Sequence, residues 1–98
     1  MIIELSNENI NELVKDDKVL VDFYATWCGP CKMLSPVIHE LVDKTGIKVI
    51  KIDIDKHENL AREFNVMSVP TLIVFENGKA LKTSSGFMPL ELLERFIK

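Results

Sequence analysis

An α/β fold, with a central mixed β-sheet flanked by helices on both faces, is the fold class that this sequence predicts. Short apolar runs alternate along the chain with segments of helical periodicity, a pattern typical of parallel strands joined by helical crossovers. Several of these runs are continuously apolar, which indicates strands buried on both faces. The turn dipeptide Asn77-Gly78 near the C-terminal end predicts a hairpin, and therefore an antiparallel pair within the same sheet.

The first half of the chain predicts two strands and two helices. Residues 2–5 are interpreted as a short edge strand, and Ser6 as the N-cap of a first helix. Residues 19–24 are apolar and rich in β-branched side chains, so they predict a buried strand. A second helix follows and is expected to end at Gly46. The apolar stripes of these helices are Ile10, Leu13 and Val14, then Leu34, Ile38, Leu41 and Val42.

The second half predicts a strand, a short helix, a hairpin and a last helix. The strand covers residues 47–54, and the short helix covers residues 59–64. Residues 71–76 and 79–84 form the hairpin. Pro89 stands near the start of the last helix, where its missing N–H is not needed. The predicted order is βαβαβαββα.

Composition limits the possible functions. With 98 residues, residues 1–98 are expected to form a single domain, and a hydrophobic content of 47% is enough for a core. The net charge is −3 and the lysines are scattered, so neither nucleic acid nor a membrane surface is an expected partner. The first residues lack a signal-peptide pattern, and no apolar run reaches transmembrane length, so we expect a cytoplasmic protein.

Both cysteines lie in one segment, Trp27-Cys28-Gly29-Pro30-Cys31, at the junction of a predicted strand and helix. The first N–H groups of a helix have no partner within it and carry partial positive charge, which favours a thiolate. Residues three apart on a helical turn lie about 5–6 Å apart, a separation that a disulfide tolerates. Pro30 suits the first helical turn, and Gly29 lets a partner backbone come close. The segment predicts a reversible dithiol/disulfide pair.

Two other interpretations of the cysteine pair remain open. It could be a static disulfide, or it could bind zinc together with His39 and His57. A second metal-type cysteine pair is absent from the sequence, and the two histidines are otherwise expected at the surface. The acidic run of residues 53–58 is interpreted as a solvated turn rather than a cation site.

The chain resembles the thioredoxin family over essentially its whole length. The family motif Trp-Cys-Gly-Pro-Cys is matched in full, and an aspartate stands six residues before its first cysteine, within an apolar strand. The other matched landmarks, in chain order, are Pro36, Lys51, Val69-Pro70-Thr71, Gly78 and Gly86.

This resemblance implies the thioredoxin fold and a small protein-disulfide reductase that carries electrons without a bound cofactor. Cys28, the member of the pair expected to be exposed, would attack a substrate disulfide, and Cys31 would resolve the mixed disulfide. Asp22 would accept the proton of Cys31, since a carboxyl group in an apolar strand has a raised pKa. Periodicity alone leaves Asp22 equally free to reach solvent or to cap a neighbour.

The resemblance also assigns residues around the cysteines. The redox-tuning residues would be Gly29, Pro30 and Lys51, although a lysine in an apolar strand more often extends its ammonium to solvent. The substrate-binding residues would be Trp27, Val69, Pro70 and Gly86. Pro70 is expected to be cis, with Val69 lending backbone groups to an extended substrate segment.

Two positions depart from the family pattern. Tyr24 stands where many relatives have tryptophan, so its hydroxyl needs a partner or water. Phe87 follows Gly86 where a small residue is common, and if exposed it would enlarge the apolar surface beside the site.

The resemblance implies two kinds of partner, a thioredoxin reductase, commonly using NADPH and flavin, and oxidised proteins, and we expect a monomer. Ribonucleotide reductase, peroxiredoxins and methionine sulfoxide reductases are examples. The alternatives are a specialised thioredoxin-like protein with one dedicated partner, and a non-catalytic binding module or accessory subunit that uses the same surface.

Overall fold

A five-stranded β-sheet forms the centre of the protein, and the computed structural model describes all residues, 1–98. The helices and strands follow the predicted order βαβαβαββα. They are β1 (Ile2–Glu4), α1 (Ile10–Leu13), β2 (Lys18–Tyr24), α2 (Gly29–Thr45), β3 (Lys48–Asp53), α3 (Glu58–Glu63), β4 (Thr71–Glu76), β5 (Lys79–Ser85) and α4 (Leu90–Phe96).

The sheet is mixed, as predicted, with the strand order β1-β3-β2-β4-β5. The three strands β1, β3 and β2 are parallel, whereas β4 is antiparallel to both β2 and β5. The register places Glu4 beside Lys51, and Lys51 beside Asp22. Because side chains on neighbouring strands at the same register share one face, these three residues form a row across the sheet.

Apolar side chains cover both faces of the sheet, which explains the continuous apolar runs of the central strands. On the face covered by α1 and α3, the core contains Val19, Val21, Phe23, Ile50, Ile52, Ile73 and Phe75. On the face covered by α2 and α4, it contains Leu20, Leu34, Ile38, Leu41, Val49, Leu72, Val74 and Leu93. The row of charged residues lies on this second face, since Asp22 follows Leu20 by two positions.

The start of α1 differs from the prediction. Asn9, not Ser6, is the N-cap: its side chain accepts the N–H of Asn11 at 2.9 Å. The backbone N–H of Ser6 instead donates to Oε1 of Glu8 at 2.7 Å, within a turn that precedes the helix. The helix is therefore a single turn, too short to bury the whole predicted stripe, and Leu13 is only half-buried.

The long helix α2 begins and ends where the sequence predicts. Cys28 is its N-cap, Pro30 lies in its first turn, and the helix continues through Pro36. Gly46 ends it with a φ of 72°, a left-handed conformation that favours glycine. None of the four helices combines the length and the apolar character needed to cross a bilayer.

Candidate active site

The two cysteines form a disulfide at the N-terminus of α2, with their Cα atoms 5.3 Å apart. Sγ of Cys28 accepts the N–H of Cys31 at 3.2 Å and lies 3.6 Å from the carbonyl oxygen of Val69. The prediction that Cys28 is the more exposed member was wrong for this oxidised form: Cys28 is 5% exposed and Cys31 is 7% exposed. The reason is that the Cys28 sulfur packs between the first turn of α2 and the Val69 carbonyl.

Gly29 and Pro30 complete the first turn of the helix. A Cβ atom added at Gly29 would meet no heavy atom within 4 Å, so this side of the disulfide is open to an approaching backbone. Pro30 has no N–H to donate, so it leaves no unsatisfied donor at this helix end. The unpaired N–H groups and partial positive charge of the remaining turn favour a thiolate when the pair is reduced.

Asp22 is a buried carboxyl group in the middle of β2, on the face that packs against α2. It is 3% exposed, and its Oδ1 has no hydrogen-bond partner. Burial raises the pKa of Asp22 to about 7, against the opposing effect of the positive charge of Lys51 and with a further rise from Glu4. A carboxyl group with this pKa can both accept and return a proton near neutral pH.

Lys51 is the lateral neighbour of Asp22 on β3. Its Nζ lies 4.6 Å from the centroid of the Tyr24 ring, a cation–π contact, and no carboxylate oxygen lies within 4.0 Å of it. The hydroxyl of Tyr24 donates to Oε2 of Glu4 at 2.6 Å, which supplies the partner that the sequence required for it. A cavity of about 230 Å³ is lined by Tyr24, Ala25, Thr26, Cys31, Lys32, Ser35 and Lys51.

The predicted docking residues surround the disulfide. The Val69–Pro70 peptide bond is cis, as expected, and the N–H of Gly86 donates to the Pro70 carbonyl at 2.8 Å. Gly86 has a φ of 95°, a backbone conformation that glycine adopts far more readily than other residues, which explains why glycine stands at this position. Trp27 is 67% exposed. An apolar groove of about 320 Å³ runs beside it, lined by Trp27, Ile54, Val66, Met67, Ser68 and Val69.

Sequence reasoning missed several residues of this surface. The indole N–H of Trp27 donates to Oδ2 of Asp55 at 2.9 Å, and Met67 is 93% exposed at the groove. The interpretation of residues 53–58 as a solvated turn was wrong at Asp53, which is buried and accepts the N–H of Asp55 on Oδ1 at 2.9 Å. The sequence signal for these contacts was the pair of aspartates on either side of Ile54, the first at the end of β3 and the second in the turn after it.

The two histidines lie in different surroundings. His39 is exposed on α2, whereas His57 is half-buried rather than at the surface, because its Nε2 lies 3.1 Å from the Leu5 carbonyl oxygen. That oxygen can only accept, so the imidazole donates. No group of three or more His, Cys, Asp or Glu residues is arranged to hold a metal ion.

These features together define a class of protein. A disulfide at the N-terminus of a helix, beside a cis-proline loop and on the same side of the sheet as a buried carboxyl group, is the site of a dithiol/disulfide oxidoreductase.

Comparisons with known proteins agree. The family model of thioredoxin matches residues 1–98. The thioredoxin of Bacillus subtilis is 40% identical over 98 residues, which cover 98% of this chain and 94% of that protein. A solved variant of the thioredoxin of Halobacterium salinarum has a TM-score of 0.91 at 36% identity, with 98% of this chain and 87% of that chain covered.

A further solved structure concerns the thiol-resolving mechanism of a yeast mitochondrial 1-Cys peroxiredoxin via glutathione and thioredoxin systems. It has a TM-score of 0.90 at 34% identity and covers 98% of this chain and 92% of that chain. The chain belongs to the thioredoxin family. It is a disulfide oxidoreductase. Thioredoxins act through a redox-active disulfide without a prosthetic group, receive electrons from a reductase and pass them to disulfide substrates.

Proposed function

We propose that Cys28 is the nucleophile and Cys31 the resolving residue of a protein-disulfide reductase. In the reduced protein the Cys28 thiolate attacks one sulfur of a substrate disulfide, and the other substrate sulfur leaves as a thiolate. Cys31 then attacks Sγ of Cys28 and releases the second substrate thiol. Two electrons pass to the substrate, and the Cys28–Cys31 disulfide remains. The position of this disulfide at the N-terminus of α2 is the observation on which the proposal rests.

Asp22 is proposed to accept the proton of Cys31 during resolution, directly or through water. The support is its burial, the unpartnered Oδ1 and a pKa raised by burial to about 7. A base with a lower pKa would hold the proton too weakly, and a base with a much higher pKa would already be protonated.

The remaining proposed roles are tuning and docking. Gly29 and Pro30 shape the helix end that stabilises the thiolate, and Lys51 tunes Asp22 by its charge. Trp27, Val69, Pro70 and Gly86 are proposed to bind an extended substrate segment beside the disulfide. The carbonyl oxygen of Val69, 3.6 Å from Sγ of Cys28, lies where such a segment would pass.

The specific partners are also proposals. A thioredoxin reductase would reduce the disulfide, and ribonucleotide reductase, peroxiredoxins and methionine sulfoxide reductases would be substrates. The proposal of a peroxiredoxin substrate is supported by the similar solved structure that concerns thiol resolution in a protein of that class. The cytoplasm is the proposed location, with residues 1–98 acting as one domain and as a monomer.

Trapping the mixed disulfide tests the assignment of the cysteines. We expect Cys31→Ser to form a stable mixed disulfide with an oxidised peroxiredoxin, because nothing resolves it, and Cys28→Ser to form little or none. Mass spectrometry of alkylated samples measures both. Equal trapping by the two variants would show that the roles are not divided in this way. If the protein that carries both Cys28→Ser and Cys31→Ser keeps its function, a non-catalytic binding module is favoured.

The reduction potential of the pair separates a reductase from an oxidase. Equilibration with a dithiothreitol or glutathione buffer, followed by Trp27 fluorescence, gives the potential of the couple. A strongly reducing two-electron couple is expected. A markedly oxidising couple would indicate an oxidase or isomerase and would contradict the proposal.

A further inference from the structure

Glu4 and Lys51 have opposite charges and are lateral neighbours on β1 and β3, yet they form no ion pair within 4.0 Å. A cross-strand pair of this kind ordinarily attracts. The Glu4 carboxylate is instead engaged elsewhere, since its Oε2 accepts the hydroxyl of Tyr24 at 2.6 Å. Tyr24 therefore holds the carboxylate that neighbours the lysine on β1.

The ring of Tyr24 makes the second contact. Nζ of Lys51 lies 4.6 Å from its centroid, and the lysine side chain makes no hydrogen bond to the protein. Burial, together with the hydrogen bond to Glu4, raises the pKa of Tyr24 far above its ordinary value, so its hydroxyl remains a donor at any working pH. One tyrosine thus holds the anion with its hydroxyl and contacts the cation with its ring.

We propose that Tyr24 is a positioning residue for the resolving step: its hydroxyl keeps the Glu4 carboxylate from pairing with Lys51, which leaves the lysine ammonium available to Asp22. The inference deepens the proposed function, because it concerns the control of the proposed base. Asp22 and Lys51 are register neighbours, and Oδ1 of Asp22 is buried without a partner. An unpaired lysine beside this carboxyl group stabilises its ionised form, which is the form that can accept the proton of Cys31.

Several titratable or charged groups lie on the elements that surround Asp22. They are Lys51 and Asp53 on β3, Glu4 on β1, Tyr24 on β2, and Cys31 and Lys32 on α2, while the neighbour on β4 is the apolar Leu72. Oδ1 of Asp53 accepts the N–H of Asp55. Of the two other acidic side chains, only Glu4 is held by Tyr24, so a change at Tyr24 should act through Glu4.

A double-mutant cycle of Tyr24→Phe and Glu4→Gln tests this dependence. Tyr24→Phe keeps the ring but removes the hydroxyl, so Glu4 becomes free to pair with Lys51. The ionisation midpoint of Asp22, followed by carboxyl-carbon NMR and assigned with Asp22→Asn, should then move to higher pH by roughly 0.5 unit, a threefold change in proton affinity. In the Glu4→Gln background the same tyrosine substitution should leave the midpoint unchanged, because no carboxylate remains to be released.

Two outcomes would overturn the proposal. One is an unchanged midpoint in Tyr24→Phe, and the other is an equal shift in both backgrounds, which would mean that the hydroxyl acts on Asp22 without Glu4. Amide NMR spectra check that each variant is folded, and Glu4→Gln alone should lower the midpoint because it removes a negative charge. The pH dependence of mixed-disulfide release is measured separately. If release does not follow the Asp22 midpoint, the proposed base fails while the positioning by Tyr24 still stands.

Discussion

Replacement of Asp22 by asparagine should stabilise the folded protein at alkaline pH. The side chain is 3% exposed and Oδ1 has no hydrogen-bond partner, so the ionised carboxylate is held in a place that solvates it poorly. Asparagine has nearly the same shape and carries no charge. The substitution therefore removes the cost of burying the charge and largely preserves the packing between β2 and α2.

The magnitude follows from the pKa of Asp22, which burial raises from 3.8 to about 7. At about 1.36 kcal/mol per pH unit, this shift corresponds to about 4 kcal/mol of lost stability once the group is ionised in both states. Because the folded pKa is the higher one, the unfolded state loses its proton first. Stability is thus fully present below pH 3.8, declines as the pH rises, and levels off above about pH 7.

The buried amide of asparagine also lacks partners, at a cost of roughly 1–3 kcal/mol. The net gain expected for Asp22→Asn at pH 8 is therefore about 1–3 kcal/mol. Between pH 8 and pH 4 the parent regains most of the about 4 kcal/mol, so at pH 4 the variant should be no more stable than the parent. Urea unfolding of the oxidised proteins, followed by circular dichroism at both pH values, measures the free energy of unfolding.

Asp53→Asn is the matched control, since Asp53 is also buried but its Oδ1 accepts the N–H of Asp55. Asparagine keeps an oxygen that can accept this N–H but loses the negative charge that strengthens the bond, so it should destabilise the protein by roughly 1 kcal/mol at pH 8, the opposite sign. A destabilised Asp22→Asn protein at pH 8, or a difference from the parent that stays constant with pH, would refute the reasoning.

Three further predictions concern the helix end and the docking surface. Gly46→Ala should lower the free energy of unfolding by about 1–2 kcal/mol, because alanine would have to adopt the φ of 72°. Gly29→Ala is the control, since Gly29 does not have a positive φ, and it should change the free energy of unfolding little. Thermal unfolding compares the two variants. Trp27→Phe removes the indole N–H that donates to Asp55, so it should raise the KM for a protein disulfide more than it lowers kcat, and an unchanged KM would argue against indole-fixed docking. Phe87 is 40% exposed next to Gly86, so Phe87→Ala should change the relative turnover of several protein disulfides; unchanged turnover of all of them would remove it from the docking surface.

The sequence predicts the order of the helices and strands because each depends on local pattern. The turn at Asn77-Gly78 has positive φ at both residues, as the hairpin requires, and Gly46 ends α2 in the left-handed conformation. The predicted N-cap of α1 was wrong because two polar side chains, Ser6 and Asn9, precede the same apolar stripe. Local propensity does not decide between two such candidates, whereas the packing of the loop before the helix does.

In the candidate site, too, the features that depend on local sequence were predictable and those that depend on long-range contacts were not. The cysteine pair is predictable because its chemistry depends on residues three apart at a helix start, and the sequence contains both. The role of Asp22 could be predicted only from the family resemblance, since that role depends on which face of β2 packs against α2. The contacts from Tyr24 to Glu4, and from Trp27 to Asp55, span 20 and 28 residues and depend on strand register and on the loop after β3. These long-range contacts hold side chains near the disulfide, and local pattern cannot predict them because it does not determine which distant segments meet.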